Sequence, residues 1–409
     1  MTTALRYSLA RAAGRTASAA SRLTGRGGGT TIGGRVTLLV DPNALQRAAA
    51  GRELALVTGT NGKTTTRTML VAALRTLGPV VSNGGGANLP TGLTAALTAD
   101  PTSHVGVLEV DEPFLPRVAA AVHPRAVVLL NLSRDQLDRY AEVRRLAGIW
   151  REALTSADGP HVVANADDPL VVYAAGAAKA VTWVAAGQAW TYDSTSCPAC
   201  GDVLQRDADG WRSAGCGLER PQPHWRVDGE AVIDAAGARH AVSLALPGQV
   251  NIGNAALAAA GAAVWGVDTV AALSAIEQIP SVEGRYLETS YDGRPLRLLL
   301  AKNPAGWSEA LRMVRPETGL VIAVNARAAD GRDPSWLWDV PFEVLRGRHA
   351  VATGERSRDV AVRLRYAGVE HVRVDNLAPA VRAAHGSGPV EVLANYTAFQ
   401  GYRKVVGDA

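Results

Sequence analysis

The residues with the clearest chemistry form a glycine-rich loop, Gly59-Thr60-Asn61-Gly62-Lys63-Thr64-Thr65. The apolar run 53–57 before it predicts a buried strand, and the residues after it carry the apolar spacing of a helix. A nucleoside triphosphate needs unobstructed backbone N–H groups, a helix N-terminus, a lysine and a Mg²⁺ ligand. The two glycines and Lys63 answer the first and third needs, and the Thr64 hydroxyl is a metal ligand. The loop predicts nucleotide binding, although Val57 stands where the strict G-x-x-x-x-G-K-[ST] pattern has its first glycine.

A carboxylate at the end of a neighbouring strand is expected as a second Mg²⁺ ligand, because this ion prefers oxygen donors. The apolar run 104–110 predicts such a strand, and Glu109 stands near its end. Asp111 and Glu112 follow directly. The alternative for these acids is a solvated turn. Glu109 is the predicted magnesium ligand together with Thr64.

Apolar runs that alternate with helical segments predict an α/β fold with a mostly parallel, doubly wound sheet. The polar, turn-rich segment 193–226 interrupts this alternation of strands and helices and holds all three cysteines. We therefore predict that it is a ribbon insertion. We expect a basic N-terminal segment over 1–50, an ATP-binding central domain over 51–288 and a smaller C-terminal α/β domain over 289–409.

The composition is that of a globular protein of two or three domains, with 409 residues, 47% apolar and 20% charged. The net charge of +4 is small, and the body of the chain has no cluster of basic and aromatic residues. Both features argue against a nucleic-acid partner. Three cysteines, an odd number, argue against a secreted disulfide framework. These features predict a cytoplasmic protein.

The N-terminus is locally basic, because six arginines precede the first acidic residue, Asp41. They are Arg6, Arg11, Arg15, Arg22, Arg26 and Arg35. The segment lacks the apolar core of a secretory signal. A helix here either packs on its own domain or touches anionic lipid headgroups at the inner membrane face.

Six motifs follow one another along the chain: TGTNGKTTT (58–66), NGGGAN (83–88), NLSRDQLDRY (131–140), NADDP (165–169), LPGQVNIGNAALA (246–258) and GRY (284–286). In this order they resemble the Mur ligases, ATP-dependent amide-forming enzymes of peptidoglycan synthesis. Three later segments resemble the MurT family within that group: LLAKNPAG (299–306), ADGRDPSWLWDVPFE (329–343) and NYTAF (395–399). The resemblance runs from about residue 20 to the end of the chain.

The resemblance implies a Mur ligase-like fold and an ATP- and Mg²⁺-dependent reaction that passes through an acyl phosphate. The acid would be the α-carboxylate of D-glutamate in lipid II at the membrane surface, and ammonia would attack it to give D-isoglutamine. Gly59 to Thr65 would hold the phosphates, with Lys63 also a catalytic residue. Asn254 and Arg285 match family positions near the nucleotide base and ribose.

The resemblance also implies a partner, a class I glutamine amidotransferase of the GatD type that releases the ammonia. This chain offers no convincing cysteine nucleophile of its own for that step. The family supplies one acid to the partner's catalytic triad from its C-terminal domain. The matching residue is Asp333 in the GRD sequence, with Asp330 and Asp339 as neighbouring alternatives.

The family carries a zinc ribbon with two cysteine pairs, and here Cys197, Cys200 and Cys216 match three of the four ligands. Ser213 or Ala214 stands where the fourth would lie. Because structural zinc is usually four-coordinate, His224 and, less favourably, Asp193 are the candidate fourth donors. The alternatives are a metal-free ribbon held by Trp211 and Trp225, or a disulfide between Cys197 and Cys200.

Two other functions remain open at this point. One is a self-sufficient ligase of the Mur or folylpolyglutamate type that adds an amino acid instead of ammonia. The other is an ATP-binding scaffold without chemistry. The segment 329–343 and the KNPAG sequence argue against the first, and the set of Lys63, Thr64 and Glu109 argues against the second.

Overall fold

The computed structural model describes residues 3–23, 30–134, 143–281, 285–386 and 388–407, so Arg26 lies outside the described residues. These residues form two compact units. The first contains the described residues up to Leu132, 143–244 and 249–279. The second contains Ser133, Arg134, 245–248 and the described residues from Pro280 onward. The three-part division expected from the sequence stays a proposal.

The first unit is built around one large, mostly parallel sheet. The strands of this unit are β1 (Glu53–Thr58), β2 (Val80–Ser82), β3 (Val105–Glu109), β4 (Ala126–Leu129), β5 (His161–Asn165), β6 (Val181–Ala185), β7 (Leu204–Asp207), β8 (Gly210–Ser213), β9 (Trp225–Asp228), β10 (Ala231–Ile233) and β11 (Arg239–Ala241). The sheet order is β11-β10-β9-β6-β5-β4-β1-β3-β2, and β7 and β8 form a separate antiparallel hairpin. Pairing is antiparallel among β9, β10 and β11 and parallel from β9 through β6 to β2.

Helices cover this sheet. They are α1 (Thr3–Leu23), α2 (Thr30–Val40), α3 (Ala44–Ala49), α4 (Lys63–Leu74), α5 (Pro90–Ala99), α6 (Leu115–Val122), α7 (Val143–Leu154), α8 (Pro169–Ala175), α9 (Gln249–Ala263) and α10 (Thr269–Glu277). The central strands read as continuous apolar runs because both of their faces are buried, as residues 54–57 of β1 show. The alanine-rich α9 is buried along most of its length and packs against α4 and β4 to β6.

The second unit has its own sheet and its own core. Its elements are β12 (Tyr286–Tyr291), β13 (Arg294–Leu300), α11 (Pro304–Arg312), β14 (Gly319–Ala323), β15 (His349–Thr353), α12 (Ser357–Ala367), β16 (Glu370–Arg373), α13 (Leu377–Ala383), β17 (Val390–Ala394) and α14 (Tyr396–Gly407). The order is β12-β13-β17-β14-β15-β16, parallel except for the edge strand β12. Trp307 and Phe342 fill one buried cluster, and Phe399 fills another.

The predicted α/β class with mostly parallel sheets is confirmed in both units. The segment 193–226 leaves the main sheet after β6 and folds into the β7–β8 hairpin before β9 begins. Among the helices that the structure describes, none has the length and apolar character to cross a membrane.

Asp168 joins two loops at the edge of the first sheet where the parallel strands end. Its carboxylate caps α8, with Oδ1 accepting from the N–H groups of Leu170 at 2.9 Å and Val171 at 3.3 Å. Its Oδ2 accepts from the N–H of Leu132, beyond the end of β4, at 2.9 Å. The side chain is fully buried. One carboxylate therefore fixes the β5–α8 turn against the segment after β4.

We predict that Asp168→Ala lowers the free energy of unfolding of the first unit by about 2–4 kcal/mol. The change leaves the helix cap and the buried Leu132 N–H without their acceptor, and each unpaired group has a cost. Scanning calorimetry of the full chain measures this as a lower transition temperature.

Asp268 provides a matched control, because it also caps a helix, with Oδ1 accepting from the Ala271 N–H, but is exposed. Asp268→Ala should cost about 1 kcal/mol. Equal losses for the two variants would contradict the proposed link between the loops.

Candidate functional site

The glycine-rich loop lies at the carboxyl edge of the first sheet, between the ends of two neighbours of β1. β1 connects through α4 to β2 on the β3 side, whereas β3 connects through α6 to β4 on the opposite side of β1. Open α/β sheets form a ligand crevice at the carboxyl ends of strands where the connections diverge in this way. The loop therefore occupies the position where this fold is expected to bind a ligand.

Glycine is required at two positions of the loop. Gly62 precedes α4 with φ of +86°, and a Cβ there would lie 2.7 Å from the Asn254 Oδ1. Gly59 has φ of +144°, and a Cβ would lie 2.8 Å from the Leu130 Cβ. Any side chain at either position meets both backbone strain and a close neighbour. The loop can follow this path because both residues lack a Cβ.

Asn131, the first residue of the NLSRDQLDRY motif, braces the loop from the end of β4. Its backbone carbonyl accepts from the Thr60 N–H at 2.9 Å. Its side chain accepts from the Asn61 N–H at 2.9 Å and donates to the Asn61 carbonyl at 3.0 Å. These contacts fix the loop backbone from outside. Residues 135–140 of the motif lie outside the described residues.

The Lys63 ammonium is buried in the loop and is held by three oxygen atoms. Its Nζ lies 2.7 Å from the Gly59 carbonyl, 3.4 Å from the Thr60 carbonyl and 2.9 Å from Glu112 Oε1. Glu112 is equally buried, and its own carbonyl accepts from the Trp150 indole N–H at 2.9 Å. The cation is therefore fixed at the loop by a carboxylate that follows β3.

Burial acts on both members of this ion pair. It disfavours the charged lysine, but attraction to Glu112, Glu109 and Asp111 outweighs it and raises the pKa of Lys63, which stays protonated. Burial raises the pKa of Glu112 to about 7, with Asp111 adding to this effect and Lys63 opposing it. Three carboxylates thus surround one cation in a region that excludes most water.

Glu109, the predicted magnesium ligand, is the last residue of β3 and pairs in register with Val57 of β1. It is buried, and its Oε2 lies 3.8 Å from the Arg67 Nε. Asn83 of the NGGGAN motif binds the Glu109 backbone on both sides, accepting from its N–H at 2.8 Å and donating to its carbonyl at 2.9 Å. The ends of β2 and β3 are thereby joined beside the loop.

The other predicted nucleotide residues lie in different places. Thr64 and Thr65 form the first turn of α4, directly after Lys63. Asn254 approaches from α9, where its Oδ1 accepts from the Thr66 hydroxyl at 3.2 Å. Arg285 belongs to the second unit, where its carbonyl accepts from the Leu300 N–H at 3.0 Å. Gly284 of the same motif lies outside the described residues.

Sequence reasoning did not assign roles to three residues of this site. Glu112 was named only as a neighbour of Glu109, yet it is the acid that pairs with Lys63. Asn83 and Asn131 were parts of motifs without a role, yet they position Glu109 and the loop. A usable signal was present, because each asparagine lies within two residues of the end of a short apolar strand, β2 for Asn83 and β4 for Asn131.

A second cluster of reactive groups lies in the ribbon. The Sγ atoms of Cys197, Cys200 and Cys216 all lie within 4.8 Å of one another, and all three are free thiols. Burial opposes ionisation of Cys197, but hydrogen bonds from the Cys200 backbone and the Ser213 hydroxyl outweigh it and lower its pKa to about 7. Three converging thiols, one of them easily ionised, fit a thiophilic metal such as zinc.

Ser213 is the oxygen donor next to these thiols. Its Oγ lies 3.3 Å from the Cys200 Sγ and 3.7 Å from the Cys216 Sγ. The two donors suggested by the sequence are engaged elsewhere: the His224 Nδ1 accepts from the Trp183 N–H at 2.9 Å, and the Asp193 Oδ2 from the Trp190 indole at 2.6 Å. Ser213 is therefore the side-chain oxygen that contacts the thiols directly.

The acidic loop of the second unit contains one exposed and one buried aspartate within four residues. Asp330 is buried and accepts from the Thr397 N–H at 2.8 Å, so it ties the loop to the NYTAF segment. Asp333 is exposed and accepts from the Ser335 N–H and hydroxyl, each at 2.9 Å, which lowers its pKa. Of these two, Asp333 has the carboxylate that another molecule can reach.

Comparison with known proteins covers both units. A family model described as Mur ligase middle domain matches residues 57–263, and one described as MurT ligase C-terminal matches residues 300–399. Among solved structures, a pseudomurein peptide ligase type C from Methanothermus fervidus has the same fold. Its TM-score is 0.68 at 21% identity, covering 87% of this chain and 79% of that chain.

Two relatives match nearly the whole chain, and both are named lipid II isoglutaminyl synthase (glutamine-hydrolyzing) subunit MurT. The protein from Streptococcus pneumoniae is 29% identical over 93% of each chain. The protein from Staphylococcus aureus (strain N315) is 30% identical over 86% of each chain. The two family models and the two full-length relatives thus agree, and the chain belongs to the MurT family of Mur ligases.

Proposed function

We propose that this chain is the ATP-using subunit of a lipid II isoglutaminyl synthase in peptidoglycan synthesis. It would amidate the α-carboxylate of D-glutamate in lipid II to give D-isoglutamine. The observation that carries the proposal is the buried Lys63 in a glycine-braced loop, next to Glu109 and Glu112, in a member of the MurT family. Such a site activates an acid at the expense of a nucleotide.

The reaction proceeds in two steps. A carboxylate oxygen attacks the γ-phosphorus of ATP, the bond to the β-bridging oxygen breaks, and ADP leaves with that electron pair. Ammonia then attacks the carbonyl carbon of the acyl phosphate. The carbon–oxygen bond to phosphate breaks, inorganic phosphate leaves, and the nitrogen loses a proton to give the amide.

The residues of the loop would do the electrostatic work of the first step. The N-terminus of α4, which begins at Lys63, would face the phosphates, and Lys63 would leave Glu112 to compensate their charge. Thr64 and Glu109 would hold a Mg²⁺ ion, which neutralises charge on the phosphate oxygens when bound. Asn254 and Arg285 are proposed contacts for the base and the ribose.

The second step needs an ammonia source, because free ammonia is mostly protonated at neutral pH. We assign this task to a GatD-type class I glutamine amidotransferase as a separate subunit. The exposed Asp333 is the residue that would complete its catalytic triad by orienting the partner's histidine. Asp330 is unsuited to that role, because its carboxylate is occupied by Thr397 and Arg327.

The lipid-linked substrate would bring the protein to the cytoplasmic face of the membrane. Helix α1 suits that location, because Leu5 and Leu9 are about half exposed and no acidic residue occurs before Asp41. A basic helix with exposed leucines is attracted to anionic lipid surfaces. We therefore place the enzyme there as a peripheral protein.

We further propose that Cys197, Cys200 and Cys216 hold one Zn²⁺ ion, with Ser213 or a water that it positions as the fourth donor. The convergence of the thiols and the low pKa of Cys197 support this assignment. The role is structural, since the ion would fasten the β7–β8 hairpin to the turn at Cys197.

Lys63→Ala should abolish amidation of lipid II with either glutamine or ammonium salt as the nitrogen source. Loss of one preorganised cation at a site of charge development costs about 10²- to 10³-fold in kcat. Turnover is measured as ADP release and as isoglutamine formation with the partner subunit present. Arg75→Ala, an exposed cation at the end of the same helix, should leave turnover unchanged.

Lys63→Ala leaves the buried Glu112 carboxylate without its cation, which destabilises the fold. A folding defect must therefore be separated from a catalytic one. The double variant Lys63→Met with Glu112→Gln removes both charges and should melt near the temperature of the unchanged chain. Its amidation should still be lost. Recovery of activity in this double variant would rule out a catalytic role for Lys63.

Asp333→Asn should separate the two half-reactions. We expect glutamine-dependent amidation to fall by about 10⁴-fold, as when the orienting acid of a triad is neutralised, while ammonium-dependent amidation persists. Asp339→Asn, an exposed acid of the same loop, is the control.

Loss of both activities in Asp333→Asn would contradict this division of labour. Amide formation by the isolated chain with a free amino acid would instead favour a self-sufficient ligase.

Purified chain should contain about one zinc ion by elemental analysis, and less than about half an ion per chain would count against the site. Ser213→Cys should tighten zinc binding by about tenfold or more, because a fourth thiolate replaces a weak donor. Competition with a chromophoric chelator measures this without any activity assay. An unchanged affinity would show that Ser213 does not face the ion.

A further inference from the structure

An arginine-lined cavity lies on the first unit, away from the nucleotide loop. It has a volume of about 310 Å³ and is lined by parts of α1, α3, the start of β1 and the segment before β3. The polar side chains of its lining are Tyr7, Arg11, Arg47, Arg52, Thr102, Ser103 and His104. This volume is at the lower end of the range for small-ligand sites, about 300–1,000 Å³.

The charge of this cavity is positive. Three guanidinium groups line it, and no carboxylate occurs among the described residues of its lining. Arg47 is compensated, with its Nε 2.9 Å from an Asp41 oxygen. Arg11 and Arg52 bond to neutral acceptors, the carbonyls of Thr98, Leu97 and Asp100. Two positive charges are therefore left without a matching anion.

The two carboxylates adjacent in sequence to the lining are already occupied, and Glu53, next to Arg52, lies 2.6 Å from the Arg125 Nη1. Asp100 accepts from the N–H groups of Thr102 and Ser103 and from both of their hydroxyls. These bonds, led by those from Ser103, hold its pKa well below the usual range. Asp100 thus shapes the 100–103 turn, and both arginines remain free to bind an added anion.

Arg11 and Arg52 each also carry one buried nitrogen donor. Arg11 Nε and Arg52 Nη1 are shielded from water and have no hydrogen-bond partner within the part of the chain that the structure describes. Such donors are normally satisfied in folded proteins. Burial also raises the pKa of the Tyr7 phenol, which therefore remains a donor at neutral pH. Guanidinium N–H groups match phosphate oxygens in geometry as well as charge.

The cavity is separate from the nucleotide loop. Arg52 precedes β1 and His104 precedes β3, so the cavity lies at the amino ends of these parallel strands. The nucleotide loop follows the carboxyl end of β1. A strand of six residues spans about 20 Å, which is the separation between the two edges.

We propose that this cavity is a second anion site, which binds a phosphate or pyrophosphate group through Arg11, Arg52 and Tyr7. The anion has two possible sources, a soluble phosphate compound or the headgroup of an anionic lipid. Helix α1, which contributes Tyr7 and Arg11 to the lining, carries no acidic residue that would repel either anion. The inference goes beyond the proposed reaction, because no step of that reaction uses this edge of the sheet.

The test is a calorimetric titration of the full chain with inorganic pyrophosphate. Because pyrophosphate also fits the nucleotide loop, the titration uses the Lys63→Met, Glu112→Gln background, so failure of the nucleotide proposal does not affect the result. Arg11→Gln should weaken binding by about tenfold, and Arg11→Lys should have an intermediate effect. Arg15→Gln, on an exposed position of the same helix, should bind as the unchanged chain does.

Co-sedimentation distinguishes the two sources of the anion. Binding to phosphatidylglycerol vesicles, but not to phosphatidylcholine vesicles, that is lost in Arg11→Gln would identify a lipid headgroup. Binding of pyrophosphate without vesicle binding would identify a soluble ligand. The proposal is overturned if Arg11→Gln binds pyrophosphate as tightly as its parent, or if neither pyrophosphate nor phosphatidylglycerol binds.

Discussion

The buried ion pair of Lys63 and Glu112 is the contact on which the site depends. Both groups are removed from water, so removal of either partner leaves an uncompensated charge, at a cost of about 3–5 kcal/mol. The pair keeps a lysine at the loop before any phosphate arrives. Burial raises the pKa of Glu112 and Lys63 opposes that rise, so the ionisation of each partner depends on the other. In the proposed function, phosphate oxygens would replace Glu112 as the partner of Lys63.

This pair is fixed by polar residues at the ends of the parallel strands. Asn83 follows β2 and binds the backbone of Glu109, while Asn131 follows β4 and binds the loop. Asp168 follows β5 and holds the Leu132 N–H, one residue beyond Asn131. Each side chain satisfies backbone groups that the strands leave unpaired where they end. The carboxyl edge is therefore held together by side chains that bond to backbone, and the loop inherits its rigidity.

The sequence predicted the fold class and the location of the loop, because strand, glycine turn and helix are local patterns. It could not identify the acid that pairs with Lys63. Glu109, Asp111 and Glu112 lie within four residues, and their different roles arise from how the chain turns after β3. The sequence likewise could not show which side chain lies next to the three thiols. His224 was close in sequence, but its ring is used at the junction of β6 and β9.

The arginine cavity was beyond sequence reasoning for a different physical reason. Its wall combines residues of α1 with residues about 35 to 95 positions later, which only tertiary packing brings together. The sequence shows the N-terminal arginines as a basic run. It does not show which of these side chains become buried in the folded protein.

The ribbon is held to the first unit by contacts that need no metal ion. Cys197 is buried among Val172, Leu204 and Trp211, so the hairpin has a small apolar core of its own. The Trp211 indole also donates to the Ala166 carbonyl at 3.1 Å, two residues before Asp168. The hairpin is thereby attached to the β5–α8 turn without any metal. The hairpin is therefore anchored by apolar packing and by this hydrogen bond.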